Sequence, residues 1–528
     1  MDFSKMTLRE KILQTFVVTI REINRYGGPE KFFEKYPVGA MYGGCSNEEV
    51  EGDTETGTIL TREKLQRCIN ASKTKLLVCA DSCYIKGQKH EALVYKSLAA
   101  SRSMEDAYKL GEIFAMQMKH CKIDSLFWPT ADLYYDSNYP LYAMSDDAQL
   151  TADLVENIIR GMQDKGYSAC SKHFPGLGTG SVNVHFCHGV NNLDMDEWRK
   201  TYGVIYKQAI DAGVMTIMTT HLALPSYAPD REDGYLPICT YSHKLTTELL
   251  KEELGFKGAV ITDALIMGGM ANGNLVEETA QAFKAGADLL LWAPVAAADR
   301  IEEMLLSGEI PMSRLEDALE RIGRVKDFRE ESDAKGLCPD LTPELADKMY
   351  EEIVEHGICE YKNEVGLLPL NKDKIKKVLI IDAVDNNPTE DQNPSYMLKK
   401  ALEKEGFICD VKKDIYDMAS FVCWQEDIDE AQEGYDLSII NMNMGYTSAS
   451  GECHLLLWGS QMFNKEKKLI INYGSPLFAE AAFPNEHTIV EVNQYLPTQS
   501  IVDMVVERLM GRKKFEGQRV LTGKVRMS

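Results

Sequence analysis

At 528 residues, with 44% hydrophobic and 26% charged content, the chain is globular and too long for one ordinary hydrophobic core. A formal net charge of −23 argues against a nucleic-acid partner, because such a surface has little with which to neutralise a phosphate backbone. Charges interrupt the first eleven residues before a signal-peptide core can form, and apolar runs such as 288–294 are far too short to cross a bilayer, so neither export nor a membrane partner is expected.

Through the first 330 residues, short β-rich runs alternate with longer amphipathic stretches. The predicted strands are Val38 to Tyr42, Leu76 to Asp81, Ser125 to Pro129, Ala169 to Phe174, Met215 to Thr220, Ala259 to Asp263 and Asp288 to Trp292. The clearest helix between them is Asp146 to Lys165, with Leu150, Leu154, Ile158 and Met162 on one face. An eighth strand is either Leu236 to Thr240 or part of the amino-terminal segment. This alternation predicts an α/β chain that opens with a (β/α)8, TIM-like barrel. Apolar periodicity fades over 328–345, and a linker is placed at 336–345. That divides a barrel domain at 1–335 from a smaller, doubly wound α/β sandwich domain at 346–528. The predicted strands of the second domain are Val378 to Asp382, Leu437 to Asn441, Leu469 to Tyr473 and Thr488 to Val492. The thirteen cysteines are scattered, form no CxxC pair and read as reduced thiols of a cytoplasmic protein.

Several predicted strands run directly into chemically capable side chains, and in a parallel barrel those strand ends form the functional face. Asp263 closes Val260-Ile261-Thr262 and is followed by Gly268-Gly269. A carboxylate there can attack an anomeric carbon; it can equally cap a helix or pair with a cation. Lys172 and His173 end another strand, just before the Pro175-Gly176 turn, where they are either sugar-binding donors or a surface lysine beside a packed histidine. Asp81 ends another strand and Asp132 closes Trp128-Pro129-Thr130-Ala131-Asp132, and a carboxylate accepts paired hydroxyl hydrogen bonds. His185 and His188 follow a glycine-rich turn. A histidine on a loop over a pocket can serve as general acid and base. Their HxxH spacing lacks a third ligand, so no metal is expected.

Taken together, these blocks resemble glycoside hydrolase family 3, and more narrowly its β-N-acetylglucosaminidase branch. Lys172 to Gly178 (KHFPGLG) is similar to the family's KHFPGHG, and Leu254 to Asp263 (LGFKGAVITD) to its LGFxGxVITD. Gly286 to Leu291 (GADLLL) and Ile217 to His221 (IMTTH) resemble two further barrel strands, and Lys362 to Leu370 (KNEVGLLPL) the entry to the second domain. The resemblance implies a retaining exo-glycosidase that releases a terminal β-linked N-acetylglucosamine or related hexose from a carbohydrate substrate, without a cofactor. It assigns Asp263 as nucleophile, His185 as acid/base, and Asp81, Lys172 and His173 to the sugar. The chain departs from the family at several positions. Asn183 replaces the loop aspartate that polarises the histidine, Val184 the loop serine and Leu177 the second histidine of KHFPGHG. Tyr142 stands where a sugar-binding arginine is usual, and Asp81-Ser82-Cys83-Tyr84 where the aspartate is followed by a glutamate. Two other readings remain: a β-glucosidase drawing its acid from the second domain, where Ser450 takes the aligned position and Glu452 lies two residues on, and a sugar-binding pseudoenzyme.

Overall fold

In the computed structural model, the residues described are 2–43, 45–46, 62–83, 94–134, 143–178, 182–229, 236–270, 273–384, 388–413, 430–444, 463–476, 479, 483, 485–494 and 497–522. Eight strands form one parallel sheet: β1 (Phe16–Val18), β2 (Ala40–Tyr42), β3 (Leu77–Ala80), β4 (Ser125–Leu126), β5 (Ser168–Phe174), β6 (Thr216–Thr219), β7 (Ala259–Thr262) and β8 (Leu290–Leu291). Their spatial order is the chain order from β1 to β7, with β8 pairing back onto β1. The ring closes between β7 and β8, where the Thr262 amide donates to Leu289 O (3.0 Å) and the Leu265 amide to Leu291 O (3.1 Å). All seven sequence-predicted strands are present, and the amino-terminal segment supplies the eighth. The alternative at Leu236 to Thr240 is not a barrel strand: Cys239–Tyr241 forms a single helical turn, and Ile238 makes one isolated antiparallel bridge to Ala223.

The two-residue period of a strand divides the barrel core into two populations. Val17, Ala40, Leu77, Cys79, Cys170, Ala259, Ile261 and Leu291 point inward and pack together. Their neighbours Val18, Met41, Val78, Ala80, Ala169, Val260 and Leu290 point outward against the helices. Ile322 and Val325, from the helix Met312–Lys335, join the inner cluster and plug the barrel floor.

Buried charges finish that floor. Asp288 is wholly buried; its carboxylate accepts the Val260 amide (2.8 Å) and Lys251 Nζ (2.8 Å) and also pairs with Arg314. Asp124 accepts the Val78 amide (2.9 Å) and Arg329 Nε (3.2 Å). Arg329 and Ser332 are the buried residues near the end of Met312–Lys335. Both are polar, which is why apolar periodicity fades there although the helix continues. The break between helices is therefore 336–342, since Pro343–Gly357 is already helical.

Among the described residues, a second sheet has six strands: β9 (Cys359–Asn363), β10 (Lys377–Val384), β11 (Ile408–Lys412), β12 (Leu437–Asn443), β13 (Lys468–Asn472) and β14 (Thr488–Glu491). The order is β9-β14-β13-β12-β10-β11, parallel throughout except for the antiparallel edge pair β9–β14. Four strands match the sequence reading. β9 and β11 escaped it because both are half-exposed edge strands with charged residues in their runs. The barrel and the second sheet meet closely. A Cβ on Gly357 would lie 2.4 Å from Ser97 O, and Ser97 Oγ donates to Asn493 O (2.9 Å).

Lys326, on the floor-plugging helix, is fully buried and donates to Gln14 Oε1 (2.9 Å). Burial pulls its pKa down to about 7, against the opposing attraction of Asp124. The folded state thus holds this proton less tightly than the unfolded chain, whose lysine titrates near 10.5. Burying the charge costs most below pH 7, where both states carry it, and the cost fades as the pH rises toward the unfolded value. Lys326→Met should therefore raise Tm most at about pH 6, with a gain that shrinks toward about pH 10. A lower Tm at about pH 6 would mean that the bond to Gln14 outweighs the burial of the charge.

Candidate active site

The chemically capable residues gather at the carboxyl ends of the barrel strands, as the topology requires. They line a cavity of about 430 Å3. Its wall includes Tyr42 at the end of β2, Asp81 after β3, Lys172 and His173 in β5, Asp263 after β7 and Trp292 after β8. His185 reaches the same cavity from the loop that follows β5.

Asp81 and Lys172 form an ion pair of 2.9 Å. Tyr42 donates its hydroxyl to the other Asp81 oxygen (2.8 Å), and the indole of Trp128 donates to the Asp81 carbonyl (2.7 Å). The Lys172 ammonium also sits over the Trp128 ring, 5.1 Å from its centroid, and that ring stacks on Tyr95 at 4.6 Å. The Asp81 side chain is 48% exposed although it lies deep in the protein, because the surface it faces is the cavity. Burial raises the Asp81 pKa, but the charge and hydrogen bond of Lys172 and the bond from Tyr42 outweigh it, and the net shift is downward. Burial lowers that of Lys172, but Asp81 and then Asp263 outweigh it, and the net shift is upward. Both groups therefore stay charged across the neutral range.

His173 neighbours Lys172 on a strand, where consecutive side chains normally point to opposite faces. The pairing of β5 with β6 shifts register between Ser171 and Phe174, and within that irregularity both side chains reach the cavity. His173 Nδ1 bonds Asp132 Oδ2 at 2.7 Å, and the other Asp132 oxygen accepts the Leu177 amide (3.1 Å). Asp132 is 1% exposed and lies outside the cavity lining. Its two oxygens are taken up by His173 and the Leu177 amide.

The Asp263 carboxylate is held at both oxygens. One accepts the Thr220 hydroxyl (3.1 Å) and the other the Ala264 amide (2.8 Å), while the Asp263 amide donates to Thr219 O (2.9 Å). Behind it, the buried His221 bonds Ala264 O through Nε2 (3.0 Å) and Thr240 Oγ1 through Nδ1 (2.8 Å). Burial lowers the pKa of His221, so it is a neutral brace for the turn that carries Asp263.

The loop with His185 is fastened to that same turn. The Gly268 amide donates to His185 O (2.8 Å) and the Gly269 amide to Val184 O (3.1 Å). The two glycines are required by this approach: a Cβ on Gly269 would lie 2.4 Å from Val184 O, and one on Gly268 would lie 2.7 Å from Phe186 O. Asn183 Oδ1 accepts both the backbone amide of His185 (2.9 Å) and its Nδ1 (2.8 Å). That contact places the proton on Nδ1 and leaves Nε2 as the basic nitrogen. Val184 is buried against Leu222 and Met267 and anchors the loop by packing.

A sequence profile described as "Glycosyl hydrolase family 3 N terminal domain" matches residues 7–325. The chain belongs to glycosyl hydrolase family 3. Among curated family relatives, a β-N-acetylglucosaminidase/β-glucosidase of Cellulomonas fimi is 27% identical over 304 residues, covering 54% of this chain and 53% of that protein. A β-hexosaminidase of Thiobacillus denitrificans is 30% identical over 193 residues, covering 36% of this chain and 52% of its own. The chain thus spans about half the length of these relatives. Among solved structures, β-glucoside phosphorylase BglX bound to 2FGlc superposes with a TM-score of 0.80 at 23% identity, over 99% of this chain and 95% of that one. A family 3 β-N-acetylglucosaminidase from Paenibacillus sp. gives 0.75 at 21% identity, over 98% and 99%.

Asp263, His185, Asp81, Lys172 and His173 converge on one cavity. Tyr142, Ser450 and Glu452 lie outside the described residues. Sequence reasoning missed Tyr42, Trp128, Thr220, His221 and Trp292. Tyr42, Thr220, His221 and Trp292 each end or directly follow a predicted strand and Trp128 is the penultimate residue of one, so strand-end position was the available signal. No group of three or more metal-ligating side chains occurs among the described residues.

Replacing Gly269 with alanine should push the Val184 carbonyl, and His185 with it, away from the Asp263 turn. A misplacement of about 1 Å costs on the order of a hundredfold in turnover, so Gly269→Ala should show that loss in steady-state rates while the far-ultraviolet circular dichroism stays unchanged.

Proposed function

We propose that this protein is a retaining, exo-acting glycosidase that releases a terminal β-linked N-acetylglucosamine or related hexose, with residues 1–335 as the catalytic domain and 346–528 as the second. The supporting observation is the junction at Asp263: a carboxylate fixed at both oxygens, on a turn bonded directly to the loop that carries His185. In this reading Asp263 attacks the anomeric carbon, and the bond to the leaving oxygen breaks. That oxygen takes the Nε2 proton of His185 in its doubly protonated, imidazolium form, leaving a neutral imidazole that keeps its Nδ1 proton bonded to Asn183 and a glycosyl ester on Asp263. His185 then removes a proton from water, the hydroxide portion bonds to the anomeric carbon, and the Asp263 carboxylate departs. Asp81, Lys172 and His173 supply acceptors and donors for the sugar hydroxyls. Both chemical roles are filled by side chains, so no cofactor is invoked. The names of the curated relatives support N-acetylglucosamine at the cleaved position, with glucose named beside it for the Cellulomonas fimi protein. No disulfide joins the described cysteines, nearly all of them buried, which fits a reducing cytoplasm.

A second acceptor is supported by Asn183. With a neutral amide rather than a carboxylate behind His185, an incoming phosphate meets one negative charge fewer. Phosphate opening of the same ester would yield a sugar 1-phosphate, the class of reaction named for BglX. Product analysis with and without inorganic phosphate separates the two acceptors.

Asp263→Asn keeps shape but cannot form the ester. Turnover of nitrophenyl β-N-acetylglucosaminide should fall by at least roughly a thousandfold with Tm little changed; normal rates in that variant would refute the mechanism. Asn183→Asp restores a charge behind His185 and should raise the hydrolytic rate roughly two- to tenfold, with the acid limb of the pH–rate profile unmoved and the alkaline limb shifted upward as the imidazolium is stabilised. A loss of activity there would count against His185 as acid/base.

A further inference from the structure

The loops that carry His185 and Asp263 each present a large apolar side chain to solvent. Phe186 is 78% exposed and Ile266 57%. Val182, on the histidine loop, adds a third apolar side chain at 39%. Two backbone bonds tie the loops together, Gly268 N to His185 O and Gly269 N to Val184 O, so these side chains are held on neighbouring, mutually fixed segments. The packing explains why Phe186 is outside: Val184 turns inward against Leu222 and Met267, and the turn that follows is closed by the Phe186 amide donating to Asn183 O (3.0 Å).

We propose that Phe186 and Ile266 form an apolar subsite for the leaving group, selecting substrates whose aglycone begins with an aromatic or other apolar ring. The inference rests on the glycosidase reading of the same cavity. The oxygen that takes a proton from His185 belongs to the aglycone, so the aglycone's first atoms lie beside His185, and the next residue in the chain is Phe186. The attacking carboxylate lies within the cavity, and the departing group leaves past the rim. An apolar ring placed there covers apolar surface that is otherwise wet, and an aromatic side chain adds edge or face contacts. A hydrated sugar or a simple alkyl alcohol gains little of either.

The test compares benzyl and methyl β-N-acetylglucosaminides, together with the corresponding β-glucosides. The two alcohols are similar in acidity, so a difference in kcat/KM reports aglycone contacts rather than leaving-group chemistry. The wild-type protein should favour benzyl over methyl by about tenfold. Phe186→Ser should bring that ratio close to one, Ile266→Ser should lower it in part, and Leu306→Ser, an equally exposed apolar residue on the helix Ala297–Ser307, should leave it unchanged. A wild-type ratio near one, or a ratio that survives both substitutions, overturns the subsite while leaving the glycosidase reading intact. Failure of the wild-type protein to hydrolyse any of the four glycosides overturns both.

Discussion

Parallel pairing of eight barrel strands in chain order is the constraint on which the site depends. It requires every strand to run in the same direction, so the residue after each strand arrives at the same rim. Asp81, Lys172, His173, Thr220, His221, Asp263 and Trp292 come from five different strands, yet they share one edge for that reason alone. The opposite edge is treated differently. There the carboxylates of Asp288 and Asp124 are saturated by backbone amides, lysine and arginine, and the helix Met312–Lys335 seals the opening. One end of the barrel thus uses its charges for cohesion, and the other leaves them facing a cavity.

The cavity's electrostatics follow from how its charges are shared. Lys172 is buried but lies within the influence of two carboxylates, Asp81 and Asp263, which together keep it protonated. Asp81 is committed to Lys172 and Tyr42 and is therefore a fixed acceptor rather than a roving base. Asp263 is held by a hydroxyl and a backbone amide, with no cation bonded directly to either oxygen among the described residues. A carboxylate held by neutral donors keeps more nucleophilic character than one locked in an ion pair. The same pocket therefore contains two aspartates with different capacities, set by their partners rather than by their chemistry.

The histidine loop is positioned by a small set of contacts made by its own residues. Asn183 orients His185 through Nδ1, although it carries no charge. Val184 anchors the loop through apolar packing on Leu222 and Met267. The loop's position is thus set by packing and by the two glycine amides, and the partner of the imidazole at Nδ1 is a neutral amide.

Most of the barrel was legible because strand and helix periods differ and each predicted strand was bounded by turn residues. The motif blocks around Lys172 and Asp263 marked two walls of the site for the same reason: a strand that ends in a charged residue carries its own signature. The amino-terminal strand and the edge strands Cys359–Asn363 and Ile408–Lys412 were less legible, being short or half-exposed with charges in their runs. The chain's own pattern determined the alternating architecture, the residues at each strand end and the glycines after Asp263. Only the tertiary structure decided that Asp132 serves His173, that Tyr42 and Trp128 hold Asp81, and that Gly268 and Gly269 are glycines because another loop's carbonyls press against them. Those are contacts between residues far apart in the chain, and local periodicity carries no information about which distant backbone will come within hydrogen-bonding distance.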